Sequence, residues 1–114
     1  MSKLQIIARY QIHDGKLDEF KELAKECLSV VKAKDKDTIQ YDWYFHDEQS
    51  ECVLIETYPD SNALLTHIGN IGEMFGKFMA LGDLSAEIYG QPSEELLNAT
   101  SGLNVKVYTF YQGL

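Results

Sequence analysis

Conspicuous reactive residues are scarce in this sequence, which holds two cysteines, three histidines, two prolines and one tryptophan in 114 residues. Cys27 and Cys52 lie far apart, each inside an apolar pattern and with no histidine or second cysteine at ligand spacing. That argues against a disulfide framework or a zinc motif and leaves two buried, reduced thiols as the expectation. Cations are scarce as well, with ten Lys and Arg against eighteen Asp and Glu, a net charge of −8. A nucleic-acid surface needs a basic patch and anionic membranes attract basic segments, so neither is an expected partner; an acidic shell serves solubility. No apolar run approaches the roughly 20 residues that cross a bilayer. The opening MSKLQIIARYQIHDG has neither a sustained apolar stretch nor a small-residue cleavage site, so the expectation is a soluble cytoplasmic protein without a secretory signal. A Gly-rich phosphate loop, a Gly-x-Ser-x-Gly elbow and a plausible Cys–His pair are also missing, which leaves nucleotide, flavin and nucleophilic-hydrolase readings unsupported.

What is present is clear periodicity. The length suits one domain, 1–114. Leu4–Ile12 alternates with period two and reads as a strand. His13-Asp14-Gly15 is a turn in which Asp14 or Gly15 is expected to cap a helix. Leu17, Phe20, Ala24, Cys27 and Val31 then recur at spacings of three and four, the stripe of an amphipathic helix, and Lys32–Asp37 reads as a charged connection. Thr38–His46 is a second strand with Ile39, Tyr41, Trp43 and Phe45 on one face. Glu51–Tyr58 is a third, after a polar hairpin. One long helix is predicted over Ser61–Leu81, and its Gly69, Gly72 and Gly76 permit either a close backbone approach or a break near Asn70–Gly72. Leu84–Gly90 alternates as a fourth strand. The order β-α-β-β-α-β is the ferredoxin-like α+β arrangement with an antiparallel sheet. Residues 91–114 form an extension with a short helix over 94–99 and a last strand over 104–111. Two helices on one face leave the other sheet face bare, which predicts a homodimer; the last strand could cover the partner's sheet edge.

The stretch ECVLIETYPDSNALLTH, Glu51 to His67, is the most specific. An apolar strand run ends in Glu56-Thr57-Tyr58, Pro59 ends the ladder, Asp60 can cap the next helix, and His67 follows about two turns in. This resembles the antibiotic biosynthesis monooxygenase domains, small dimeric α/β barrels with a ferredoxin-like fold, over about Leu4 to Gly90. The resemblance implies two sheets closing face to face across a dimer. It also implies a histidine at this point of the second helix and a pocket-lining aromatic at Tyr58, often Trp in relatives. Two features depart from the family. Leu54 stands where its cofactor-independent oxygenases carry an amide, and Asn70 and Ile71 stand where many relatives have a second histidine, so no metal site is expected. The residues on which haem-degrading cousins depend fall at His67 and Lys77 in this register, which disfavours haem breakdown.

His67 lies at the edge of the Leu64-Ile68-Ile71 stripe. It can be a proton carrier in a cavity between helix and sheet, or a boundary histidine satisfied by a backbone carbonyl. Trp43, Tyr41, Tyr44 and Tyr10, with Tyr58, could line an aromatic pocket or simply form core. Arg9, on the sheet face opposite Tyr10, could stabilise a phenolate or pair with Glu56 or Glu87. His13 and His46 fall in turns and read as solvated. The resulting expectation is an oxygenase of a quinol or polyphenol that needs no cofactor, with O₂ as co-substrate, His67 as base and Arg9 as anion stabiliser. The alternatives are a dimeric binding or stress-response module for a small hydrophobic or aromatic metabolite, favoured by Leu54, and an isomerase on the same scaffold.

Overall fold

The alternation in Leu4–Ile12 is the axis of the architecture: Leu4, Ile6, Ala8, Tyr10 and Ile12 are all buried, while Gln5 and Gln11 are exposed. In a computed structural model, which describes residues 3–114, the elements are β1 (Leu4–Ile12), α1 (Leu17–Lys34), β2 (Gln40–His46), β3 (Glu51–Tyr58), α2 (Ser61–Ile71), α3 (Met74–Leu81), β4 (Gly82–Tyr89), α4 (Glu94–Ala99) and β5 (Val105–Tyr108). The strands form one sheet in the order β2-β3-β1-β4-β5. Its first four strands pair antiparallel, as the ferredoxin-like reading requires, and β5 adds a parallel edge. The pairing lines up Tyr41, Glu56 and Ile6, and beside them Trp43, Leu54, Ala8 and Ala86. Strand alternation puts all of these on the helix-covered face.

Aromatic packing locks α1 and α3 to that face. Phe20, fully buried, meets Tyr10, Phe45 and Phe78 with ring centroids 5.2, 6.1 and 5.1 Å apart, all edge-on. Such pairs contribute about 0.5–1.5 kcal/mol each beyond the area they bury. Pro59 and Asp60 act as expected, the Ala63 amide donating to Asp60 Oδ1 at 2.8 Å to cap α2.

Four local expectations need correction. The long second helix is two, α2 and α3, separated at Gly72, whose φ of +48° and ψ of −122° lie outside the helical basin; among the alternatives, the glycines mark a break. Neither Asp14 nor Gly15 caps α1, whose N-cap is Lys16 without a side-chain bond. Ile39 precedes β2 and is 62% exposed rather than joining the apolar face. The last strand is shorter than 104–111, and it pairs in parallel with β4.

Candidate active site

Three turns of local chemistry converge on one histidine. The Asp60 cap sets the phase of α2 so that Leu64, His67 and Ile71 face the sheet, and His67 is only 3% exposed. At the other end of the site, α1 stops at Asp35, whose extended backbone turns its side chain back under α2. His67 Nδ1 lies 2.7 Å from Asp35 Oδ2. Asn70, one turn beyond His67, donates to Asp35 Oδ1 at 2.8 Å, and Thr38 Oγ1 donates to Oδ2 at 2.7 Å. From β3, Glu56 points inward because it is in phase with buried Cys52 and Leu54. Its Oε1 is 4.0 Å from His67 Nε2 and accepts a 2.6 Å bond from the Tyr58 hydroxyl. The Tyr41 and Tyr58 rings flank the imidazole, with centroids at 4.8 and 5.5 Å.

The electrostatics separate the two carboxyls. Burial opposes ionisation of Asp35, but bonds from Asn70, Thr38 and His67 outweigh it and hold its pKa below the ordinary carboxylate value. For Glu56, burial dominates and raises the pKa; attraction to His67 and the Tyr58 bond only partly offset it. An ionised Asp35 can only accept, so the Nδ1–H of His67 donates to it and, in the neutral imidazole, Nε2 is left as a bare acceptor towards Glu56. Burial pushes the Tyr10 and Tyr41 phenols above their usual range, and ionisation of Glu56 would push them further, so both stay protonated donors. Burial pushes the Cys52 thiol up to about 12 and the Cys27 thiol up as well; neither cysteine forms a disulfide.

Glu56 and His67 open into a cavity of about 320 Å³ between the sheet and α2–α3. Its walls are otherwise mainly apolar, with Ala8, Leu54, Ala86, Ile68, Ile71 and Phe75 among them, and residues 99–105 of the extension contribute one side. Of the residues singled out from sequence, His67, Tyr10, Tyr41 and Trp43 meet at this cavity. The Trp43 indole nitrogen has no hydrogen-bond partner among the described residues. Tyr58 lies behind the wall, fully buried, with its hydroxyl bonded to Glu56. Arg9 and Tyr44 do not reach the cavity, a correction that follows from strand alternation: both project from the helix-free face. There Arg9 Nη1 pairs with Glu87 at 3.4 Å, and Tyr44 is 53% exposed. His13 pairs with Asp83 at the surface and His46 is exposed. Sequence reasoning missed Glu56 as a site residue, although its phase with Cys52 and Leu54 was a usable signal. It missed Asp35 too, which a charged run conceals. Among the described residues, no group of three His, Cys, Asp or Glu side chains could hold a metal ion.

No family model matches the chain, and no curated relative matches it. Solved structures do. MupZ from Pseudomonas fluorescens superposes over 100% of this chain and 90% of its own, with a TM-score of 0.85 and 19% identity. SnoaB from Streptomyces nogalater, described as a cofactor-independent oxygenase, covers 82% of this chain and 96% of its own, at TM-score 0.67 and 14% identity. A structure named antibiotic biosynthesis monooxygenase covers 79% and 99%, at TM-score 0.68 and 20% identity. The chain has the antibiotic biosynthesis monooxygenase fold. At these identities the likeness concerns architecture. Within this antibiotic biosynthesis monooxygenase fold, the match to MupZ spans the whole chain and so includes α4 and β5, beside the segment that walls the cavity.

Proposed function

We propose that the chain is an enzyme that moves a proton on a neutral, largely apolar substrate held in the cavity, and that the resulting anion reacts with O₂. This makes it a cofactor-independent monooxygenase of a quinol or polyphenolic compound. The observation that carries the reading is a buried imidazole with an ionised partner on one nitrogen and a high-pKa carboxyl by the other, facing an apolar chamber. A base of this kind typically contributes about 10²–10⁴-fold in rate. His67 Nε2 takes the phenolic or adjacent carbon-bound proton, and Asp35 stabilises the imidazolium that forms. Glu56, carrying its proton, and the Tyr10 and Tyr41 hydroxyls supply hydrogen bonds to the substrate anion, the part expected of Arg9. The electrons balance without an external reductant. The substrate gives up two hydrogens and gains one oxygen atom, and those hydrogens leave with the second oxygen as water.

The cavity holds no lysine or arginine, which favours neutral over anionic substrates, since no cation there would offset the hydration an anion loses on entry. A second reading rests on the same pair: His67 can take a proton at one carbon while Glu56 returns one at another, an isomerisation that consumes no O₂. We also propose that two copies join through the helix-free sheet face, where Ile7, Val53 and Ile55 are only partly buried in one chain.

Mixing the protein with a reduced naphthoquinone in an oxygen electrode tests the chemistry. Oxygen uptake with product gaining an oxygen, lost in His67→Ala, supports the oxygenase. A product of unchanged mass supports the isomerase, and saturable binding without turnover of any kind supports the binding module.

A further inference from the structure

Asp35 stands between two cavities. On its inner side it holds His67, which faces the apolar chamber. On its outer side Asp35, Thr38 and Asn70, together with Lys34, Lys36 and Thr66, line a separate polar pocket of about 220 Å³ at the end of α1. The residues that fix Asp35 are thus the wall of that outer pocket. We propose that Glu56, His67 and Asp35 form a relay that passes protons between the closed cavity and the outer pocket, so that protons and substrate use different openings.

The relay rests on the acid–base reading above and gives that site a route to solvent. Its steps balance. A proton on Glu56 Oε1 moves to His67 Nε2 across the 4.0 Å gap once either side chain rotates slightly, while His67 gives its Nδ1 proton across 2.7 Å to Asp35 Oδ2. Asp35 then releases the proton to water in the outer pocket, and the reverse sequence reloads Glu56. Thr38 and Asn70 donate to Asp35 and hold it ionised and in place, so that it carries the proton only in passing. Groups facing the relay from each packed element are Cys27 on α1, Tyr41 on β2, Tyr58 on β3, and Tyr10 on β1 near Glu56. All are neutral phenols or thiols with raised pKa values, so none competes as a carrier near neutral pH. Lys34, Lys36 and Asp37 surround the outer end.

The sole tryptophan, Trp43, lines the inner cavity and lies 5.7 Å from Tyr41, whose ring in turn contacts His67. Its fluorescence therefore reports protonation of the cavity without any substrate. The test is a stopped-flow jump from about pH 8 to about pH 5.5, a range in which imidazole titrates. The wild-type chain should show one fast emission change. Asp35→Asn, which cannot carry a proton, should slow it about tenfold or more with circular dichroism unchanged, and Asp35→Glu should restore it. If Asp35→Asn does not fold, Thr38→Val keeps the carboxylate, removes one fixing bond and should slow the change severalfold. An unaltered rate in these variants, or no emission change in the wild type, overturns the relay. Because no turnover is measured, the relay can fail while the oxygenase stands, and the reverse.

Discussion

Glu56 shows how a single position can govern stability as well as chemistry. Its pKa is raised in the fold, so the folded state binds more protons than the unfolded chain above the ordinary value of 4.5. Stability from this group is therefore fully present below that value and is lost as pH rises towards the folded pKa. Glu56→Gln should melt like the wild type near pH 4 and at a higher temperature near pH 8, and calorimetry at the two pH values checks the crossover. Asp35 has the opposite sign. Its lowered pKa stabilises the fold above the unfolded value and is lost as pH falls through the folded one, so Asp35→Asn should flatten the acid limb of the stability curve. His67→Ala removes Asp35's charged-bond partner and opens space, and should cost about 2–4 kcal/mol in urea unfolding.

Among the elements, the broken second helix is the instructive case. Apolar spacing across Ser61–Leu81 supports one helix, because Leu64, Ile68, Ile71, Phe75 and Phe78 keep phase through the interruption. Gly72, at φ +48° and ψ −122°, ends α2 before α3 begins at Met74. A side chain there would be strained, and Gly72→Ala should destabilise by about 1–3 kcal/mol, measurable as a lower melting temperature. Strand alternation and the Asp60 cap were legible because they depend on neighbours in sequence. The Asp35–His67 bond was not, since it joins residues 32 positions apart and one of them sits in a charged run. The inward turn of Glu56 lies between these cases: its phase was readable, but an acidic residue at a buried strand position reads as an edge until the tyrosine and histidine that satisfy it are located. Arg9 failed for a plain geometric reason, because a neighbour of Tyr10 in sequence must face away from it.

For the whole molecule, the fold explains why one face of the sheet encloses a cavity and the other is left without helices. Helices α1, α2 and α3 and the 99–105 segment close over the apolar face, whereas Ile7, Val53 and Ile55 sit on the open one. Sedimentation at micromolar concentration should give twice the chain's mass, and Ile55→Lys should shift it to a single chain while leaving the helical signal intact; a monomeric wild type would contradict association through this face. Substrate discrimination also belongs to this scale, because the cavity wall joins the core domain to its extension. Leu103→Trp, which adds bulk to that wall, should weaken binding of a naphthoquinone-sized ligand about tenfold or more with little change in melting temperature, as read by Trp43-independent calorimetry.

The claim on which the account turns is that Glu56 keeps its proton above the usual carboxylate range beside His67. Isotope-edited infrared spectroscopy of the full chain, titrated from acid to neutral pH, measures it directly. The account predicts a protonated carboxyl band, absent in Glu56→Gln, that persists above the ordinary glutamate value of 4.5. A Glu56 band that vanishes at that value, as for a carboxyl in water, would contradict it.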